Sequence, residues 1–165
     1  MPKKSASTRP AGTPATLALT HAGVPFAAHA YEHDPGVTAF GIEAATALGV
    51  EPARVFKTLI ADADGRLVVG IVPVTGQLDL KALATAVAAK RASLANAAAA
   101  QRKTGYVVGG ISPVGQKSRL ETVLDASASA FETVYVSGGR RGFDIELSPA
   151  DLLAVTGGRL AAIAR

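Results

Sequence analysis

A glycine-rich loop between an apolar run and basic residues is the most informative chemical signal in this sequence. Residues 104–119 read TGYVVGGISPVGQKSR, with Gly109, Gly110 and Gly115 inside seven residues. Because glycine has no side chain, another group can approach the backbone closely at these positions. Lys117 and Arg119 follow the loop, which indicates that the approaching group carries negative charge.

The spacing of this loop is similar to that of a nucleotide-binding P-loop, but two residues argue against that function. Gln116 stands where the P-loop requires lysine, and Pro113 removes a backbone N–H donor. The chain also has no G-x-S-x-G nucleophile elbow, and Ser112 precedes a proline with no evident Asp–His pair nearby. The sequence therefore indicates neither a nucleotide hydrolase nor a serine hydrolase of that type.

Two charged residues inside predicted strands are candidates for a polar site. Lys57 lies between Phe56 and Thr58 in an otherwise apolar strand, where lysine is disfavoured. Its side chain either faces solvent on a half-buried strand or points as a cation into a cleft, and the pattern leaves both open. Asp144 in the strand FDIEL poses the same question, since it alternates with Glu146.

The composition indicates a globular domain with a packed core. The chain has 165 residues, of which 48% are hydrophobic and 18% are charged. It has no cysteine, which excludes disulfides, thiolate metal ligands and a cysteine nucleophile. His21, His29 and His33 have no carboxylate cluster that would complete a metal site. We expect neither a metal nor another cofactor.

Residues 1–12 are predicted to form a disordered basic tail, and residues 13–165 a single domain. The tail has Lys3, Lys4 and Arg9 without an apolar segment behind them, so it is not a secretory signal peptide. No apolar run of the chain is suited to spanning a bilayer, and we expect a cytoplasmic protein. The net charge is +4, so the three tail charges leave the domain at about +1.

Eight of the fourteen lysines and arginines outside the tail occur in four pairs near the ends of predicted elements. These pairs are Lys90–Arg91, Arg102–Lys103, Lys117 with Arg119, and Arg140–Arg141. Such pairs can form a local phosphate-binding stripe without an extreme total charge. The alternative, a solvated rim without a ligand, is equally consistent with the pattern.

Capping and turn residues predict helices and strands in a mixed order. Helices are predicted over 14–22, 38–48, 77–90 and 95–102, and from Pro149 onward. Strands are predicted over 26–33, 55–61, 66–73, 106–108, 121–125, 133–136 and 143–146. Because this order lacks a β–α–β rhythm, we expect an α+β domain with a mixed, largely antiparallel sheet.

Four motifs in order resemble the YbaK family, the free-standing branch of the bacterial prolyl-tRNA synthetase editing domains. They are VFKTL at 55–59, VPVTGQLDL at 72–80, TGYVVGGISPVGQK at 104–117 and YVSGGRRGFDIEL at 135–147. The resemblance implies a partly barrel-like sheet surrounded by helices. It also implies deacylation in trans of Cys-tRNA(Pro), which is needed because a steric sieve separates cysteine from proline poorly.

The same resemblance implies roles for individual residues. Lys57 matches the family's essential lysine, and Gly109 and Gly110 match the loop that lies against the aminoacyl ester. The expected substrate-binding residues are Tyr31, Phe40, Ser112, Ser137 and Asp144. The basic residues expected to contact tRNA are Lys117, Arg119, Arg140 and Arg141. The implied partners are the acceptor end of tRNA(Pro) and prolyl-tRNA synthetase, without a membrane.

The expected chemistry is undemanding, because an aminoacyl ester is already activated. Backbone N–H groups around Gly109 and Gly110 would stabilise the developing oxyanion, and Lys57 would anchor a phosphate or a ribose hydroxyl of the terminal adenosine. No protein nucleophile is evident, so the resemblance implies attack by the thiol of the substrate, with water as the alternative. A deacylase for Ala-tRNA(Pro) or Cys-tRNA(Cys) and a non-catalytic module that binds acceptor ends or a synthetase remain open.

Overall fold

Five α-helices and eight strands follow one another in an irregular order along residues 12–165, the part of the chain that the computed structural model describes. The helices are α1 (Pro14–Ala22), α2 (Phe40–Leu48), α3 (Leu80–Ala86), α4 (Ala97–Thr104) and α5 (Pro149–Thr156). The strands are β1 (Ala27–Ala30), β2 (Phe56–Ala63), β3 (Arg66–Pro73), β4 (Ala92–Leu94), β5 (Glu121–Asp125), β6 (Val134–Arg140), β7 (Phe143–Leu147) and β8 (Arg159–Ala161). The predicted tail lies outside the described residues, except for Gly12. Within the described part, no helix is long and apolar enough to cross a membrane.

The strands form two sheets, which confirms the predicted α+β class with mixed, mainly antiparallel pairing. One sheet has three antiparallel strands in the order β1-β7-β6. The other has the order β4-β2-β3-β5-β8, in which β2 is antiparallel to both neighbours and β5 is parallel to both of its own. A bridge between Val55 and Tyr135 links the sheets. The barrel-like sheet expected from the resemblance is therefore divided into two sheets that meet at this bridge.

The main hydrophobic core contains side chains from both sheets. Phe56 and Ile60 of β2 belong to the same buried cluster as Phe143 and Ile145 of β7. Successive side chains of a strand point to opposite faces, so alternate residues of the five-stranded sheet pack in a second cluster with Leu83 of α3. Burying one such side chain contributes about 1.5–3 kcal/mol. The two clusters hold β2 between them and so determine where Lys57 lies.

The helix ends confirm the predictions made from capping residues. The Thr13 hydroxyl accepts a hydrogen bond from the Thr16 amide at 3.2 Å, and α1 ends at Gly23 with a φ of 71°. The Ser148 hydroxyl accepts a hydrogen bond from the Asp151 amide at 3.1 Å at the start of α5. These caps satisfy amide groups that the first helical turn leaves without partners.

Two predicted elements are wrong, and distant residues explain both. The helix predicted over 77–90 is confined to α3, because the Gln77 amide donates to the carbonyl of Arg165 at 2.8 Å and Asp79 caps the helix instead. The strand predicted over 106–108 is a loop. There the Val108 amide donates to the side-chain oxygen of Gln101 at 3.0 Å and the Val108 carbonyl accepts from Arg141 Nε at 2.9 Å, so side chains replace strand pairing. The short edge strands β4 and β8 were not predicted.

Candidate active site

A cavity of about 560 Å³ collects most of the residues that the sequence singled out. Its volume lies within the range of about 300–1,000 Å³ that is typical of small-molecule sites. The predicted site residues that line it are Tyr31, Phe40, Lys57, Gly109, Ser137 and Asp144. Much of the remaining lining is apolar, from side chains such as Val55, Ile60 and Leu94. The cavity thus combines hydrophobic walls with a small number of polar groups.

Lys57 is half-buried and lines this cavity near the start of β2. The pairing of β2 with β3 places it opposite Val72, in a sheet with apolar neighbours. Within residues 12–165 its ammonium group takes part in none of the five salt bridges. Of the two orientations that the pattern left open, the structure shows the one toward a cleft. An unpaired cation in such a place is available to a polar or anionic ligand.

Asp144 lines the same cavity and is only 6% exposed. It lies opposite His29 of β1 and Ser137 of β6 in the three-stranded sheet. Burial disfavours the charged form and raises the pKa of the Asp144 carboxyl from 3.8 to about 7. Burial first, and then the nearby Asp144 carboxyl, also raise the pKa of Tyr31, so its phenol remains a hydrogen-bond donor at neutral pH.

The raised pKa of Asp144 predicts a stability profile that Asp144→Asn should change. The folded protein retains this proton up to about pH 7, whereas the unfolded chain loses it near 3.8, so the free energy of unfolding falls as pH rises between these values. In Asp144→Asn the free energy of unfolding should no longer fall over this pH range. The variant should therefore be more stable than the wild type above about pH 7, by on the order of a few kcal/mol. Urea unfolding across this pH range measures the effect.

Glu146→Gln in the same strand is the control for that experiment. Hydrogen bonds from the Thr133 hydroxyl and from His29 outweigh partial burial and lower the pKa of Glu146, so its contribution to stability is lost as pH falls. The two variants should therefore change the pH profile in opposite senses. If the free energy of unfolding changes equally with pH in the wild type and in Asp144→Asn, the assignment of a raised pKa to Asp144 is wrong.

Thr58 is a cavity residue that the sequence analysis missed. Its hydroxyl oxygen is the single buried side-chain polar atom without a hydrogen-bond partner among the described residues. Leaving such a group unsatisfied costs about 1–3 kcal/mol. Its position next to Lys57 in the VFKTL motif was the available signal.

The close approach predicted for the glycine loop is made by the protein's own backbone at two of the three glycines. A Cβ atom on Gly110 would lie 2.7 Å from the Cα atom of Arg140, and one on Gly115 would lie 2.5 Å from the carbonyl oxygen of Pro14. The Gly110 amide donates to the Val107 carbonyl at 2.9 Å. These glycines let the loop pack against α1 and the β6–β7 hairpin.

Gly109 differs from its neighbour because it lines the cavity. Its φ of 91° lies in the left-handed region that glycine tolerates best, and a Cβ atom there would meet Arg141 Nε at 2.7 Å and Phe40 Cζ at 2.9 Å. Within the described residues its amide makes no hydrogen bond. Gly109 therefore brings an unpaired backbone donor to the cavity wall.

Ser112 and the four basic residues lie outside the cavity lining. Ser112 is fully buried, and its hydroxyl accepts a hydrogen bond from the Val114 amide at 3.2 Å, which stabilises the turn. Lys117, Arg119, Arg140 and Arg141 are exposed. The Arg140 and Arg141 guanidinium groups lie over the rings of Phe143 and Phe40, at 4.9 and 5.2 Å from their centroids. Of these two rings, that of Phe40 lines the cavity, so Arg141 contacts a cavity wall.

The histidines near the first strand are hydrogen-bonded to glutamates. His29 Nε2 lies 2.9 Å from Glu146 Oε1, and His33 Nδ1 lies 2.7 Å from Glu43 Oε1. The His33 ring also contacts Phe40, with ring centroids 5.6 Å apart. Within residues 12–165 no three acidic or histidine side chains are grouped so that they could hold a metal ion.

The chain is similar to known proteins in sequence and in fold. Residues 33–155 match the model of the aminoacyl-tRNA editing domain. The chain is 38% identical over 120 residues to the putative Cys-tRNA(Pro)/Cys-tRNA(Cys) deacylase EbsC of Enterococcus faecalis, covering 72% of this chain and 73% of that protein. It is 32% identical over 111 residues to the uncharacterized protein YwhH of Bacillus subtilis, covering 67% and 70%. A crystal structure of a putative trans-editing enzyme for prolyl tRNA synthetase has a TM-score of 0.81 at 25% identity and covers 98% of this chain and 99% of its own.

Proposed function

Because the chain belongs to the aminoacyl-tRNA editing domain family, we propose that it deacylates Cys-tRNA(Pro), the product of mischarging by prolyl-tRNA synthetase. Aminoacyl-tRNA editing is the activity of the family, and the proposal adds that the amino acid removed is cysteine. The observation that supports this proposal is the cavity, whose mainly apolar walls include the unpaired Lys57 ammonium and the Gly109 amide. Such a site suits a small aminoacyl group joined to a charged nucleic-acid end.

Lys57 is proposed to hold the end of the tRNA. Its ammonium group would bind a phosphate or a ribose hydroxyl of the terminal adenosine and so place the ester bond beside the glycine loop. Fixing a reactant in this way lowers the entropic part of the barrier, which accounts for several kcal/mol in well-oriented reactions.

The cavity wall around Gly109 is proposed to stabilise the reaction. When the ester carbonyl is attacked, its oxygen gains negative charge, and a backbone N–H already pointing at that position lowers the barrier. Among the described residues the Gly109 N–H has no partner, whereas the Gly110 amide is bonded to Val107. The role predicted for both glycines is therefore divided: Gly109 would contact the oxyanion and Gly110 would hold the loop against the hairpin.

The substrate thiol is proposed to act as the nucleophile. Its sulfur would form a bond to the carbonyl carbon, the bond from that carbon to the ribose oxygen would break, and the thiol proton would pass to the departing oxygen. The resulting thiolactone is hydrolysed by water to free cysteine. The four side chains that would surround the aminoacyl group are Tyr31, Phe40, Ser137 and Asp144. A carboxyl oxygen of Asp144 would accept a hydrogen bond from the substrate ammonium group.

Recognition of the tRNA body is proposed to be weak and to depend on prolyl-tRNA synthetase. The domain carries a net charge of about +1, so the basic residues available for phosphates are local: Lys117, Arg119, Arg140 and Arg141. Few phosphate contacts give low affinity and a shallow dependence on salt. A synthetase that has just mischarged the tRNA would supply the missing selectivity.

A deacylation panel tests the proposal against its alternatives. The substrates are tRNA(Pro) charged with cysteine, alanine or proline, and tRNA(Cys) charged with cysteine, and the readout is release of free amino acid. We expect rapid release from Cys-tRNA(Pro) and none from Pro-tRNA(Pro). Preference for Ala-tRNA(Pro) would replace the proposed substrate, and equal release from Cys-tRNA(Cys), which the name of EbsC also includes, would widen it. Protection of every ester would indicate a binding module.

A further inference from the structure

The tip of the β6–β7 hairpin contacts three walls of the cavity. A register shift between Ser137 and Arg140 bends β6 before the turn. The backbone of Arg140 then lies against Gly110, and the Gly142 carbonyl accepts a hydrogen bond from the Tyr31 amide at 2.8 Å. Between them Arg141 reaches Val108 and Phe40. The hairpin tip therefore sets the relative placement of the cavity walls.

Arg141 binds one specific atom of the glycine loop. Its Nε and Nη2 atoms both donate hydrogen bonds to the Val108 carbonyl oxygen, at 2.9 and 2.6 Å. The Val108 amide is held separately, by the side-chain oxygen of Gln101 at 3.0 Å. Since residues 106–110 have no strand partner, these two contacts hold the Val108 peptide groups in place.

The carbonyl that Arg141 binds belongs to the same peptide unit as the Gly109 amide. A trans peptide is planar, so its C=O and N–H bonds point in opposite directions. A cation that holds the Val108 oxygen on one side therefore directs the Gly109 N–H to the other side. Hydrogen bonds in series also polarise each other, and a charged partner on the oxygen makes the N–H a stronger donor.

We propose that Arg141 is a positioning residue that orients and polarises the Val108–Gly109 peptide for catalysis. The guanidinium lies over the ring of Phe40 as well, so it holds this cavity residue and the peptide in one arrangement. This inference rests on the proposed function, in which the Gly109 amide stabilises the oxyanion. It gives Arg141 a role other than the phosphate contact that its exposed charge suggested.

Arg141→Ala with Arg140→Ala as the matched control separates the two roles, because each removes one positive charge from the same hairpin tip. Loss of peptide positioning should lower kcat on Cys-tRNA(Pro) about 10- to 100-fold with little change in KM, since removing an oxyanion donor outright costs about 100- to 1,000-fold. Arg140→Ala should change KM and its salt dependence if Arg140 contacts phosphate.

Arg141→Lys should recover little of the lost activity, because an ammonium lacks the planar fork of a guanidinium. Added guanidinium should partly restore Arg141→Ala.

A measurement that needs no activity distinguishes failure of this inference from failure of the proposed function. In amide spectra of the labelled protein, the Gly109 N–H signal should shift and exchange faster with solvent in Arg141→Ala, and should stay unchanged in Arg140→Ala. An unchanged Gly109 signal would overturn the inference, as would a rise in KM and a loss of salt dependence with kcat intact. If the Gly109 signal shifts in Arg141→Ala but the wild-type protein releases no amino acid, the positioning role of Arg141 stands and the proposed deacylase activity is wrong.

Discussion

Replacing Lys57 with alanine is expected to lower kcat/KM for Cys-tRNA(Pro) by about 100-fold or more while the fold stays intact, because orientation of a reactant contributes several kcal/mol to a barrier. Lys57 forms no salt bridge in the described part of the chain, so its loss removes no ion pair that stabilises the protein. What it removes is the only lysine among the described residues that line the cavity. Single-turnover deacylation measures the rate, and thermal unfolding measures the stability.

Two further variants make the result for Lys57 specific. Lys81→Ala removes the same charge from the exposed surface of α3, a helix that contributes no residue to the cavity lining, and should deacylate at the wild-type rate. Lys57→Arg keeps the charge in the cavity and should retain part of the activity. Near wild-type rates from a well-folded Lys57→Ala protein would show that this lysine does not anchor the substrate.

Removing the thiol from the substrate is expected to have an effect as large as removing Lys57 from the protein. A thiol with a pKa near 8.5 is a few per cent thiolate at neutral pH and is intrinsically nucleophilic, whereas a serine hydroxyl is almost wholly protonated. We expect Ser-tRNA(Pro) to be deacylated at least about 100-fold more slowly than Cys-tRNA(Pro). The rate with the cysteine substrate should rise with pH as the thiolate fraction increases.

A third substrate separates nucleophilic attack from simple fit to the cavity. tRNA(Pro) charged with 2-aminobutyrate presents a methyl group in place of the thiol, so it fills nearly the same space and has no nucleophile. Thiol attack predicts that this ester survives, and that a thiol-specific trap captures the thiolactone from the cysteine substrate. Comparable rates for the cysteine and 2-aminobutyrate esters would assign the attack to water.

Elements that depend on neighbouring residues were predictable from the sequence. The Thr13 and Ser148 caps each bond an amide three residues along, and the turn at Gly65 joins β2 to β3 as its residue types indicate. Such interactions are local, so residue type and spacing are enough to predict them. The motifs with Lys57 and Asp144 were also visible, because a charged residue in an apolar strand stands out in any context.

Elements that depend on residues far apart in the chain were not predictable in this way. The run around Val107 and Val108 has the composition of a strand, yet Gln101 and Arg141 hold it as a loop. The glycines after it had the right residue type for a close approach, but the sequence could not show that the approaching group is the backbone of Arg140. Local propensity is overridden where tertiary contacts satisfy the backbone better.

The sequence by itself determined the α+β class, most helix and strand positions, the family and the set of candidate residues. Only the tertiary structure decided that Lys57 faces a cavity, that burial raises the pKa of Asp144, and that the carbonyl of Val108 is held by Arg141. The physical reason is that desolvation and hydrogen-bond direction depend on what surrounds a group in space. Those surroundings come from β2, the glycine loop and the β6–β7 hairpin, which lie far apart along the chain and meet only in the folded protein.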